Sequence, residues 1–212
     1  MKYIILLLFP LSIYAQDANP TWQRLIKKFN LVKSYDVQAT IKPQIASIRM
    51  LPVKANIHFS YPSTFRMKSA GISILPKNGF SELPLLFSHP EQYTAISSGI
   101  DKQWEVLTLL PKDTEADIVL AKIWVDTKDY VVTKTQITSR SNGTVSCDFS
   151  YAGERSLGLP SHMKFIIDVK KFKVPKGVAT DINRTTDASK LEKQPKKGSI
   201  EIDFHHYQVQ RN

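Results

Sequence analysis

The side chains in this chain that could do chemistry are few and poorly grouped. His205 and His206 form its one histidine pair, with Asp203 two residues upstream of His205. Adjacent residues on a strand point to opposite faces, so this pair grips a metal only if a bulge intervenes. His58, His89 and His162 stand alone and read as solvated. Cys147 is the sole cysteine, which excludes an intramolecular disulfide. It falls between Val145 and Phe149 on an apolar face, where an inert buried thiol is expected. The sequence has no Gly-rich phosphate loop, GxSxG elbow or HExxH helix. Ser, His and Asp all occur, but without a local constellation. The expectation is a protein that is not an enzyme and carries no cofactor and no metal.

The elements that would position a site are easier to read. From Val53 the odd positions are Val53, Ala55, Ile57, Phe59 and Tyr61, and the even ones Lys54, Asn56, His58 and Ser60. This period of two marks a strand with one apolar and one wet face. Pro62 breaks the run because it cannot donate to a ladder. Phe65, Met67 and Ser69 then resume the alternation against Arg66 and Lys68.

The theme recurs along the chain. Val37, Ala39 and Ile41 alternate with polar neighbours, with Ile48 and Met50 as a continuation, and Ile72–Leu75 leads into a turn at Pro76-Lys77-Asn78-Gly79. Gln92–Ser97 and Gln103–Leu110 pair around a turn near Gly99. Ile118–Asp126 reads as a more central strand, followed by a turn at Lys128-Asp129 and a return over Tyr130–Thr138. Asn142-Gly143 is expected to centre a type I′ hairpin turn. Strands bearing Val145, Cys147, Phe149 and Tyr151, and then Met163, Phe165, Ile167 and Val169, come next. Gly198–Val209 closes the sheet; its apolar parity changes near His205-His206, which predicts a β-bulge.

Asn19-Pro20 caps a short helix in which Trp22, Leu25, Ile26 and Phe29 share one face. Packing of that face against the protein's own sheet is expected. Phe80–Pro90 reads as a short helix or loop carrying Leu83, Leu85, Leu86 and Phe87. Residues 175–197 are nearly devoid of large apolar side chains and read as a long polar loop. With about ten strands and one N-terminal helix, a barrel, a half-closed barrel and a sandwich all fit. The fold class is mainly β with some α.

Lys2, the apolar stretch Ile4–Tyr14 and the small Ala15 resemble a signal peptide cut after Ala15. Removing those 15 of 212 residues leaves 197, enough for one domain over 16–212, and lowers the formal charge from +10 to +9. A basic exported protein suits anionic headgroups or an acidic partner, with nucleic acid excluded by the compartment.

The exported start, the amphipathic helix, FSYPSTFRMKSAG, KIWVDTKDYVVTKTQI and GSIEIDFHHYQVQRN resemble the LolA-like periplasmic lipoprotein carriers and outer-membrane lipoprotein-sorting proteins. The corresponding residues are Pro62, Phe65 and Arg66; Trp124, Val125 and Asp126; and Gly198 with Tyr207. The resemblance implies an unclosed β-barrel, one antiparallel sheet whose concave apolar face is covered by helices that admit acyl chains. It implies a soluble periplasmic monomer that carries a lipid or lipidated protein between an inner-membrane donor and an outer-membrane acceptor, with transient contact at the membrane surface. An envelope sensor or regulator binding lipid or a partner protein is the alternative. The carriers proper have an arginine just before the proline, latching a lid through backbone carbonyls; here stands Tyr61, which cannot donate five fixed hydrogen bonds. Residues expected to line an apolar cavity are Trp22, Leu25, Ile26, Phe29, Ile57, Phe59, Tyr61, Phe65, Met67, Trp104, Trp124, Phe149 and Phe165.

Overall fold

The computed structural model describes residues 19–44, 51–62, 64–69, 82–141, 143–168 and 197–212. The leader over 1–15, the strand continuation at Ile48 and Met50, the segment 72–79 and nearly all of the polar loop 175–197 lie outside the described residues. Ten strands make one antiparallel sheet: β1 (Val32–Gln44), β2 (Val53–Ser60), β3 (Thr64–Ser69), β4 (Tyr93–Asp101), β5 (Trp104–Pro111), β6 (Ile118–Asp126), β7 (Val131–Ser139), β8 (Gly143–Ser150), β9 (His162–Asp168) and β10 (Lys197–Arg211). Their order is β3-β2-β1-β10-β9-β8-β7-β6-β5-β4, with β3 and β4 left as edges, so the barrel is unclosed. The chain begins in the middle of the sheet, runs out to β3, crosses to β4 and returns strand by strand to lay β10 beside β1.

Among the described residues two helices cover the concave face. In α1 (Pro20–Phe29) the Asn19 side chain accepts from the Trp22 amide at 3.1 Å and Pro20 opens the first turn. The cap satisfies one of the amides a helix start leaves orphaned, and proline costs nothing there. Trp22 and Leu25 are buried against the sheet, with Ile26 and Phe29 packed partly against the same core. The second helix, α2 (Glu82–Ser88), belongs to the crossing between the two edges. Leu86 and Phe87 are buried, and the Ser88 hydroxyl donates to the Pro62 carbonyl, tying α2 to the β2–β3 turn. Trp22 and Phe29 each place a ring 5.4 Å from Phe87, so the helices meet through aromatics.

The predicted alternation holds through most strands. Ile57, Phe59, Leu107, Leu109, Ile123, Val125, Phe165, Ile200 and Ile202 point inward and are almost fully buried. Each such side chain stabilises by roughly 1.5–3 kcal/mol relative to exposure. Cys147 is buried among them, and desolvation pushes its thiol well above the ordinary range.

Three local expectations are corrected. Gly99 does not turn the β4–β5 hairpin: Asp101 pairs with Trp104, so Lys102-Gln103 make the turn. Gly99 instead sits at a register shift between Ser97 and Ile100 with φ +99°, a bulge conformation that favours glycine. Nor does a two-residue turn join β7 to β8. Ser139 pairs with Gly143, whose φ is +70°, leaving residues 140–142 as the connection, with Asn142 outside the described residues. The isolated histidines are not simply solvated, since each meets a carboxylate across or along the chain: His58–Asp36 at 2.9 Å, His89–Glu91 at 3.4 Å and His162–Asp203 at 2.7 Å. Facing positions on paired strands explain the first and last, which alternation alone does not reveal.

The bulge predicted near His205-His206 is present. Gln38 pairs with His205 but Asp36 with Gln208, so β10 holds one extra residue there, and His206 takes φ +56°. Among the described residues no group of three His, Cys, Asp or Glu side chains is placed to hold a metal, and no helix is long and apolar enough to cross a membrane.

On the outer face Asp203 sits between Lys42 at 2.8 Å and His162 at 2.7 Å. Hydrogen bonds from Lys42 and then His162 hold its carboxyl below the usual range, and Arg155 does the same to Asp129. A depressed carboxyl contributes stability above its unfolded pKa and loses it as pH falls through the folded value. Melting temperature is therefore expected to fall as pH drops below about 4, and Asp203→Asn to flatten part of that slope. An unchanged slope in the variant would show that the pairing contributes nothing.

Candidate apolar binding site

Because the sheet curls without closing, its concave face is too wide at one end for side chains to fill. A hollow of about 130 Å³ remains there, beneath α1 and α2. Leu25, Lys28 and Phe29 come from α1, Pro84 and Phe87 from α2. The sheet contributes Tyr35, Phe59, Phe65, Phe149, Met163, Phe204 and Tyr207. The β6–β7 turn with Tyr130, and the loop before β9 with Tyr151, Leu157, Leu159 and Pro160, close the remaining sides.

Of the residues expected at a cavity, Leu25, Phe29, Phe59, Phe65 and Phe149 line this hollow. Ile57 and Phe165 are on the same concave face but belong to the filled part of the core. Trp22 is buried against Phe87, while Ile26 and Met67 pack partly against the core away from the opening. Tyr61 is 39% exposed at the end of β2, its ring 6.4 Å from Phe29. Trp104 and Trp124 are on the convex face. Ile123 and Val125 take the inward positions of β6, so Trp124 points outward, where its indole donates to Asp101 at 2.8 Å beneath the Lys134 ammonium. Val106 pairs with Trp124, and Trp104, two residues before it, shares that outer parity.

Residues that sequence reasoning left out define much of the wall. Tyr207 returns to the concave side because the His206 bulge restores its parity with Phe204. Tyr35 has the inward parity of Val37 and Ala39, a signal present in the sequence. Leu157 ends a short 3₁₀ turn, Leu159 follows it, and neither carries a periodic pattern; they join Val32 in a second small cluster with Tyr35, Tyr207 and Val209 packed against it.

The mouth is polar and charged. Arg155 bridges Asp126 at 2.7 Å and Asp129 at 2.6 Å. Lys28 donates to the Asp129 carbonyl, and desolvation lowers its pKa despite the nearby carboxylates. Arg24 donates to the Tyr130 hydroxyl at 2.6 Å with its guanidinium 4.8 Å from that ring. At the other end of α1, Thr21 donates to Glu105 at 2.6 Å. These contacts pin the helix over the hollow.

Inside, Tyr151 donates to the Val132 carbonyl at 2.7 Å and Tyr207 to the Pro160 carbonyl at 2.9 Å. Burial pushes both phenols above their ordinary range. Tyr207→Phe leaves the Pro160 carbonyl without that donor, and is expected to cost about 1–2 kcal/mol in urea unfolding. No change would mean water replaces the phenol.

No family model matches the chain, and none of the curated proteins matches it. Solved structures do. A LolA superfamily protein from Nitrosomonas europaea superposes with a TM-score of 0.52 at 11% identity, covering 91% of this chain and 94% of that one. A DUF1329 family protein from Desulfovibrio piger gives 0.55 at 7% identity over 89% and 91%. A domain from Vibrio parahaemolyticus assigned as an outer membrane lipoprotein-sorting protein gives 0.50 at 12% identity over 90% and 91%. The chain has the LolA-like fold: one curved, unclosed antiparallel sheet with helices over its concave face.

Proposed function

We propose that this protein binds a lipophilic ligand, an acyl chain of a lipid or lipidated protein, in the hollow under α1 and α2. On this reading it carries the ligand through the periplasm without chemical change. The observation that carries the reading is the hollow itself: a lined, largely apolar space on the face where a packed core would leave none. The leader-like stretch Ile4–Tyr14 and the sorting-protein neighbour support an envelope setting.

The volume sets the mechanism. About 130 Å³ is comparable to the ~150 Å³ engineered cavity that takes up benzene, room for only a short piece of chain. A longer chain enters only if α1 or α2 moves outward. Burying about five methylenes gains ~4 kcal/mol. The contacts of Thr21, Arg24 and Lys28 that hold α1 are each worth about 0.5–1.5 kcal/mol. Those polar contacts together match that gain, but moving α1 also uncovers Trp22 and Leu25, at roughly 1.5–3 kcal/mol each. A ligand therefore shifts the helix only as far as its own chain re-covers that apolar face, and a partner offering a better site can take the ligand away.

Native mass spectrometry of protein purified without detergent from the host envelope tests this. A bound mass released on denaturation as an acylated species supports carriage. An apo mass, with no thermal shift on adding acylated ligands, overturns it.

A further inference from the structure

Five polar side chains line the hollow: Lys28 and the tyrosines Tyr35, Tyr130, Tyr151 and Tyr207. Four of the five have a partner. Lys28 donates to the Asp129 carbonyl, Tyr130 accepts from Arg24, and Tyr151 and Tyr207 donate to the Val132 and Pro160 carbonyls. The Tyr35 hydroxyl alone has no hydrogen-bond partner among the described residues.

Its surroundings make that conspicuous. The Tyr35 ring stacks on Phe59 at 5.2 Å and meets Tyr207 edge-on at 5.5 Å, which fixes its direction. Desolvation pushes the phenol above its ordinary range, while the side chain still borders the open space of the hollow. Among the apolar walls of the hollow an unpartnered hydroxyl has only water or a ligand to bond, and a phenylalanine would fill the same place without needing either.

We propose that the Tyr35 hydroxyl is the polar anchor of the cavity and that it selects ligands presenting an uncharged carbonyl oxygen, as in an acyl ester or amide. This rests on the reading of the hollow as a lipid site. A carbonyl is an acceptor only, so one phenol proton satisfies it. An alcohol accepts the same proton but brings a donor of its own, for which the hollow offers only the oxygens of phenols already engaged with backbone carbonyls or Arg24. A bare hydrocarbon leaves Tyr35 unsatisfied. A carboxylate would be buried with no cation free beside it, since Lys28 is held at the rim.

Isothermal titration calorimetry of the full chain and of Tyr35→Phe, with methyl hexanoate, hexan-1-ol and toluene as small probes, tests the assignment. The parent is expected to bind the ester most tightly. Tyr35→Phe is expected to weaken the ester about three- to tenfold and leave toluene unchanged or tighter. Its melting temperature should hold or rise, because the ring is kept and an unpaired hydroxyl removed. No loss for the ester, or an equal loss for toluene, overturns the anchor. An equal loss for hexan-1-ol overturns the carbonyl preference. If the parent binds none of the three, the lipid-site reading fails first and takes the anchor with it.

Discussion

Phe59→Ala is expected to lower the unfolding free energy by about 3–5 kcal/mol, read as a lower urea midpoint at an unchanged slope. Phe59 is 2% exposed on β2 and forms part of the floor of the hollow. It stacks on Tyr35 at 5.2 Å and takes the edge of Phe29 at 5.7 Å. Phe29 in turn stacks on Phe87 at 5.4 Å, so Phe59 joins the sheet to α1 directly and to α2 through Phe29. Truncation removes its buried area and two aromatic contacts worth about 0.5–1.5 kcal/mol each beyond that area. The void merges with an existing hollow, so the surroundings cannot collapse to refill it. The strand pairs on either side are backbone interactions and survive, which is why the slope should not change. A loss below about 1 kcal/mol would show that the helices are seated elsewhere.

The second large effect separates a binding site from an imperfectly filled core. Met163→Trp is expected to abolish uptake of an acyl ligand, more than about tenfold weaker, while the melting temperature stays within about 4 °C. Met163 faces the hollow from β9, between its cross-strand neighbours Phe149 and Ile202. In a tightly packed core such an enlargement costs about 1–3 kcal/mol by forcing neighbours off their rotamers. Here the added ring has space to enter, and the space it takes is the space a ligand needs. Thermal shift with an acylated ligand reads both quantities in one experiment. Undiminished binding by the tryptophan variant would place the ligand elsewhere, and a melting temperature lower by much more than 4 °C would mean that the ring cannot enter the space and the hollow is narrower than it looks.

The concave face was legible strand by strand because a period of two records which side chains share a side. It served for Ile57, Phe59 and Phe165, and it identified the aromatic stripe of α1. Trp104 and Trp124 carry a cavity-lining residue type but the wrong parity: the pairing of Trp124 with Val106 puts both on the outer face. The turn signals were a weaker guide. Gly99 and Gly143 both adopt positive φ, as glycines in such places should, but a positive φ serves a bulge as well as a turn. Which of the two forms depends on the register of the partner strand, and that is not written locally.

What the sequence determines by itself is the sidedness of each element. Hydrophobic alternation separates wet from dry faces, Asn19 and Pro20 start α1, and the change of parity after Phe204 demands the bulge found at His206. What only the tertiary structure decides is who neighbours whom. β1 and β10 lie side by side although Tyr35 and its partner Val209 are far apart in the chain, and that pairing brings Tyr35 against Tyr207. The loop residues Leu157 and Leu159 close the same space without any periodic mark. Side-chain direction is a local property of the backbone, whereas strand order is set by the total burial of the whole sheet. The hollow exists only because ten strands curve without closing, so its place and its unpaired phenol emerge from the assembled sheet.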